Sequence, residues 1–214
     1  MFRDRKDAGE KLAQKLSQYA NDSNSIILAL PRGGVPVAYE IAQKLNLPLD
    51  VFLVRKLGIP DSEETAMGAI ASGGIVILSE NLINYLNISN EEVQKVIAKE
   101  QKELEYRGKL YHENYPSLKL AGRKVILVDD GIATGSTMQV AVVALRKNEV
   151  SEIIIAVPVS SDSAYEELST QVDHMICLEV PQNFNAVGQW YENFSQVSHE
   201  EVKELLKKSA KEVL

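Results

Sequence analysis

The sequence predicts an α/β fold, a mainly parallel twisted sheet flanked by helices, over a single domain spanning residues 1–214. Three observations carry this. Short unbroken apolar runs recur at Ser25–Leu30, Val125–Val128, Ile153–Val159 and His174–Leu178, a pattern that suits strands covered on both faces. Stretches with apolar residues at helical spacing separate them. Hydrophobic residues make up 45% of the 214, ample for one buried core, and strands alternating with helices imply parallel neighbours joined by right-handed crossovers.

In chain order, Ala8, Leu12, Leu16 and Tyr19 predict an amphipathic helix over about 7–20. The Ser25–Leu30 strand ends at Pro31-Arg32-Gly33-Gly34, and Val37, Ala38, Ile41, Ala42 and Leu45 then share one helical face. Pro36 is tolerated because it falls in the first turn. Leu49–Val54 reads as a second strand running into Arg55-Lys56. Residues 57–75, rich in Gly, Ser, Asp and Glu and running into Ile75–Leu78, read as a mobile loop that is partly a hairpin. Ser89 and Glu92 have capping-box spacing and open a long polar helix to about residue 112. Helices are expected over 135–147 and 162–170. Ser198 and Glu201 open a last helix with Val202, Leu205 and Leu206 inward.

Charge and composition exclude several classes. A net charge of -7 argues against general nucleic-acid affinity. No apolar run approaches the roughly 20 residues needed to cross a bilayer, and the charged start MFRDRKDAGE is no signal peptide. A cytoplasmic, non-membrane protein is expected. Cys177, the one cysteine, reads as a buried strand thiol, and His112, His174 and His199 lack metal-ligand spacing.

In an open parallel sheet, ligands gather beyond the carboxyl ends of the strands. Three predicted strands end in complementary polar turns. Arg32, Arg55 and Lys56 supply cations, Gly33 and Gly34 expose amides, and Asp129 and Asp130 offer oxygens to a hard divalent cation or to vicinal hydroxyls. Adjacent carboxylates repel, so this pair needs a cation, donors or water beside it. Thr134-Gly135-Ser136-Thr137 then sits where a loop becomes a helix, a place that favours phosphate. No Walker A loop, GxGxxG or GxSxG is present.

Val125–Met138 resembles the phosphoribosyl-pyrophosphate (PRPP) motif of type I phosphoribosyltransferases: apolar strand, two acids, a small residue, Thr-Gly, then a helix. Leu30–Val35 is similar to that family's pyrophosphate loop, and 57–75 stands where the family has its flexible catalytic loop. Phe2–Gly9, Val54–Gly58, Met67–Ile70, Val128–Gly135 and Ala186–Tyr191 together resemble a subgroup whose acceptor is unassigned. The resemblance implies Mg²⁺-dependent transfer of ribose 5-phosphate from PRPP to a nucleophile, a nitrogen base, with release of pyrophosphate. It implies that Ala133, Thr134, Gly135, Ser136 and Thr137 hold the 5-phosphate. Asp129 and Asp130 would hold the ribose hydroxyls or, through water, the metal. Arg32, Gly33, Gly34, Arg55 and Lys56 would hold pyrophosphate. Glu64, with Glu63, is the candidate for proton transfer.

The termini, roughly 1–20 and 180–214, would build a small hood over the acceptor, with Phe184, Trp190 and Tyr191 beside a planar base or, equally, pinning the final helix. A non-proline cis peptide is expected at Pro31–Arg32 or its neighbour. Ala133 stands where hypoxanthine–guanine members carry an aspartate. Retention of Arg55-Lys56 and the loop favours an enzyme over a PRPP-sensing regulator without turnover. A hydrolase using Asp129 as nucleophile finds no matching base and lysine. Whether the protein is a homodimer is left open.

Overall fold

The computed structural model describes residues 1–60, 62–111 and 119–212, without the side chains of 63, 64, 211 and 212. Its centre is a five-stranded parallel sheet of order β2-β1-β6-β7-β8. These strands are β1 (Ser25–Ala29), β2 (Leu49–Val51), β6 (Lys124–Val128), β7 (Glu152–Val159) and β8 (His174–Glu179). Successive strand residues point to opposite faces, and both faces of β1 are covered. Ile27 and Ala29 face a core shared with α1 (Arg5–Lys15), α2 (Gly34–Leu45) and α7 (His199–Glu212). Ile26 and Leu28 face a second core shared with α5 (Ser136–Lys147) and α6 (Asp162–Ser169). That two-sided burial is why the strand sequences carry no polar alternation.

The order of the strands places the site. The chain runs from β1 outward to β2, then returns to lay β6 on the other side of β1, with Leu28 beside Leu127 and Ala29 beside Val128. The strand order therefore reverses between β1 and β6, and the crevice beyond their carboxyl ends is the expected ligand position. The turns that leave there are Pro31–Gly34 and Asp129–Gly135.

The expected single strand over Leu49–Val54 is two. β2 stops at Val51; Phe52 and Leu53 are buried as the chain leaves the parallel sheet, and β3 (Val54–Ile59) starts an antiparallel one with β4 (Ser62–Ala71) and β5 (Ile75–Leu78). Leu53 is held at the crossing by Ser72, whose Oγ accepts its N–H at 2.8 Å and whose N–H donates to its carbonyl at 2.8 Å. Residues 57–75 are thus mostly paired strand. Gly68–Ala71 pair with Ile75–Leu78 across a turn at Gly73-Gly74, both of which take positive φ.

A short helix that the sequence reading did not anticipate, α3 (Glu80–Tyr85), precedes α4 (Asn90–Tyr111). The capping box of α4 forms in both directions: the Ser89 N–H donates to Glu92 Oε2 at 2.9 Å and the Glu92 N–H to Ser89 Oγ at 3.3 Å. His112, the expected end of that helix, lies outside the described residues. α1 begins at Arg5 rather than 7 because Asp4 caps it, accepting from the Asp7 N–H at 2.8 Å. A 3-10 turn, Ser17–Tyr19, completes the span to Tyr19.

Candidate functional site

Beyond the end of β6, Asp129 and Asp130 are packed against the turn that follows β1. A methyl group at Gly33 would collide with the Asp130 carboxylate, and one at Gly34 would lie 2.7 Å from the Val128 carbonyl and 2.9 Å from Asp129 Cα. Only glycine lets the two turns approach this closely. The Pro31–Arg32 bond is cis, as expected for this stretch. The Asp129 carboxylate accepts the Asp130 N–H at 2.8 Å. Burial, first, and the neighbouring Asp130 hold the Asp129 carboxyl well above the ordinary aspartate range. Burial also raises Asp130, against the opposing pull of Arg5.

Arg5 is the cation that the acid pair requires. Its Nε donates to Asp130 Oδ2 at 2.9 Å and its Nη2 lies 2.8 Å from the same oxygen, with the two side chains 11% and 14% exposed. Nη1 donates to the Ser195 carbonyl at 2.8 Å, and the guanidinium stacks on Phe194, 3.9 Å from the ring centre. The sequence reading singled out Phe2–Gly9 without giving Arg5 a role. An arginine 125 residues from its partner leaves no spacing signal.

The loop after the acids is anchored to β7. The Ile132 N–H donates to the Val159 carbonyl and the Ser161 N–H to the Ile132 carbonyl, both at 2.9 Å, while Ser161 Oγ donates to the Ala133 carbonyl at 2.6 Å. Gly135 takes the left-handed backbone (φ 74°) that turns the chain into α5. Thr134 and Ser136 share a hydroxyl contact of 3.2 Å, Ala133, Thr134 and Thr137 are exposed, and the first-turn N–H groups of α5 have no intrahelical partner. Such a terminus offers amides, hydroxyls and a positive dipole end to an anion.

Arg55 and Lys56 do not act as a pair. They are consecutive on β3, so they point to opposite sides. Lys56 is exposed, whereas Arg55 turns to α4 and pairs with the buried Glu100, Nε to Oε2 at 2.8 Å. Arg55 and Arg32 line a cavity of about 210 Å³ whose far wall is Arg107, Tyr111 and His199 from α4 and α7. The Tyr111 hydroxyl and His199 Nδ1 lie 2.6 Å apart. Arg32 makes no ion pair among the described residues. It also borders a second, wider cavity of about 390 Å³, lined by Arg5, Gly33, Asp130 and residues 194–197. Glu63 and Glu64 fall on β4, but their side chains lie outside the described residues.

The aromatic cluster of the C-terminal stretch divides. Tyr191 is buried, with Phe2 and Phe194 at 5.5 and 5.0 Å, and its hydroxyl donates to the Asp130 carbonyl at 2.6 Å. Its ring is therefore a brace under the acid pair. Trp190 and Phe184 are partly buried and line neither cavity; of this C-terminal cluster, Phe194, to which sequence reasoning assigned no role, lines the wider one. Among the described residues no group of three or more His, Cys, Asp or Glu could hold a metal. No helix there is long and apolar enough to cross a membrane.

A phosphoribosyl transferase domain model matches residues 3–195. The chain belongs to the phosphoribosyl transferase family. Two Mycobacterium tuberculosis proteins, from strains CDC 1551 and H37Rv, whose names mark them as inferred phosphoribosyl transferases, are 40% identical over 202 residues. That match covers 94% of this phosphoribosyl transferase chain but 45% of each relative, so the chain spans about half of their length. The crystal structure of the TT1426 protein of Thermus thermophilus has 38% identity and a TM-score of 0.85, over 97% of this chain and 98% of that one. The AQ2163 protein of Aquifex aeolicus, at 13% identity and a TM-score of 0.53 over 94% of this chain and 84% of that one, shares the fold alone.

Proposed function

We propose that the domain transfers ribose 5-phosphate from PRPP to a nucleophilic acceptor, a nitrogen base, and releases pyrophosphate. The observation that carries this reading is the contact between the two sheet-end turns. Gly33 packs on the Asp130 carboxylate and Gly34 on Asp129, while Arg32 and Thr137, in the first turn of α5, line one cavity. Contrary to the sequence expectation of two exposed amides, the buried Gly34 N–H donates to the Leu30 carbonyl at 3.1 Å. A ligand that carries a phosphate, a diol and a pyrophosphate would engage this set of groups.

Breaking the anomeric C–O bond puts positive charge on the ribose ring and negative charge on the leaving group. Asp129 and Asp130 would stabilise the first, and Arg32 with the Gly33 amide would stabilise the second. The α5 N-terminus and the hydroxyls of Thr134, Ser136 and Thr137 would hold the 5-phosphate. Two adjacent acids fit Mg²⁺, which keeps several waters and takes one or two carboxylates together with substrate phosphates; when bound, it would neutralise the pyrophosphate. The β3–β4 hairpin would close over the site and exclude water. The acceptor would enter the wider cavity between Asp130 and Phe194.

The test is pyrophosphate release from PRPP and Mg²⁺ against a panel of bases and amines, with thermal shift recording binding. Release that depends on an acceptor supports the transferase. Binding without release for every acceptor would replace it by a PRPP-sensing regulator.

A further inference from the structure

The segment Phe2–Gly9 works as one device aimed at Asp130. Phe2 pairs with the 190–193 strip: its N–H donates to the Trp190 carbonyl at 2.7 Å, and its carbonyl accepts the Glu192 N–H at 2.8 Å. The Arg3 carbonyl continues the pairing, accepting the Asn193 N–H at 2.9 Å. Asp4 caps α1, and Asp7, held by Lys11 at 2.7 Å and by Arg3, fixes the first turn. Gly9 brings α1 hard against α2, where a methyl group would lie 2.5 Å from the Val37 carbonyl. Every contact serves to set the first helical turn, and Arg5 is the residue of that turn that reaches the site.

Resting on the transferase reading above, we propose that Arg5 is a positioning residue for the ribose site. Its fork fixes the Asp130 carboxylate, while its third edge and its face hold Ser195 and Phe194. One side chain thereby sets the diol-binding acid and a wall of the acceptor cavity in a common frame. Gly33 packs on the same oxygen, Asp130 Oδ2, that Arg5 holds, so without the guanidinium the carboxylate would turn from that position into the cavity that Arg5, Gly33 and Asp130 line.

Calorimetric titration of the whole chain with Mg-PRPP, ribose 5-phosphate and inorganic pyrophosphate tests this. Arg5→Ala should weaken both ribose-bearing ligands about 10- to 100-fold, the range typical when a group that orients a ligating residue is lost, and leave pyrophosphate within about twofold. Arg5→Lys, which keeps the charge but not the fork, should fall between. In an Asp130→Asn background Arg5→Ala should add nothing, since the two act as one unit. If Arg5→Ala does not fold, Phe194→Leu, which leaves the ion pair and removes the stacking face, should still weaken PRPP more than pyrophosphate. The inference is overturned if PRPP binds the variants as it binds the parent, if pyrophosphate weakens in parallel, or if the Arg5 and Asp130 effects add. A parent that binds no PRPP at all would overturn the transferase reading together with it.

Discussion

Two carboxylates forced together at a strand end conflict with stability, and the conflict has a measurable sign. Burial holds the folded Asp129 carboxyl above its ordinary 3.8, so between that value and the raised one the native state binds the proton that the unfolded chain has already released. Stability of the ligand-free protein from this group is therefore greatest at low pH and falls as pH rises through the raised value. Asp129→Asn keeps an acceptor for the Asp130 N–H and deletes the charge. It should raise the melting temperature at neutral pH, flatten that pH dependence, and abolish the stabilisation given by Mg-PRPP. Thermal melts across pH, with and without ligand, check all three. Gly33→Ala should lower both PRPP affinity and stability, because its methyl group has no place beside Asp130. Cys177 is a strand thiol pushed up to about 11 by burial, with Sγ donating to the Glu179 carbonyl at 3.1 Å. Iodoacetamide at pH 8 should modify it slowly in the native protein and rapidly in denaturant. Ala133 has no acid–base group, and the resemblance of the 125–138 stretch sets it where hypoxanthine–guanine members carry an aspartate. Loss of such a group costs about 10² to 10⁴ in rate, so steady-state turnover with guanine or hypoxanthine should be poor.

At the scale of elements, α1 covers part of one face of the sheet and carries Arg5 to Asp130. Asp4→Ala removes its cap and should cost about 1 kcal/mol. Gly9→Ala drives it away from α2 and should cost about 1–3 kcal/mol, the usual range for overpacking. Both would appear in urea titrations as a lower midpoint at unchanged slope, and both should weaken PRPP binding through Arg5. What the sequence made legible follows the same division. β1, β6 and β7 were readable because burial on both faces forces a continuous apolar run, the half-buried edge strand β8 because its inner residues stay apolar, and α4 and α7 because a cap is a local signal. The break between β2 and β3 was not. Phe52 and Leu53 are as apolar as a strand interior, and what parts the strands is a bond to Ser72, 19 residues away. The acid pair and the glycine turn were readable for the same local reason. Their counter-ion was not, and neither were Arg107, Tyr111 and His199, which α4 and α7 bring together from 88 residues apart.

For the whole molecule, the crevice between β1 and β6 follows from strand order alone, but the walls around it come from opposite ends of the sequence. Phe2 and Arg5 meet Trp190, Tyr191, Phe194 and Ser195, a separation of 190 residues for the Arg5–Ser195 bond. That distance acquires a meaning when the chain is made rather than melted. A ribosome adds about 5–20 residues per second, so Arg5 emerges roughly ten to forty seconds before its carbonyl partner exists. Through that interval the sheet can pair and the acid turn can form, yet nothing yet braces Asp130 from the far side. The nascent chain can therefore form its acid turn well before residues 190–195 exist to brace it.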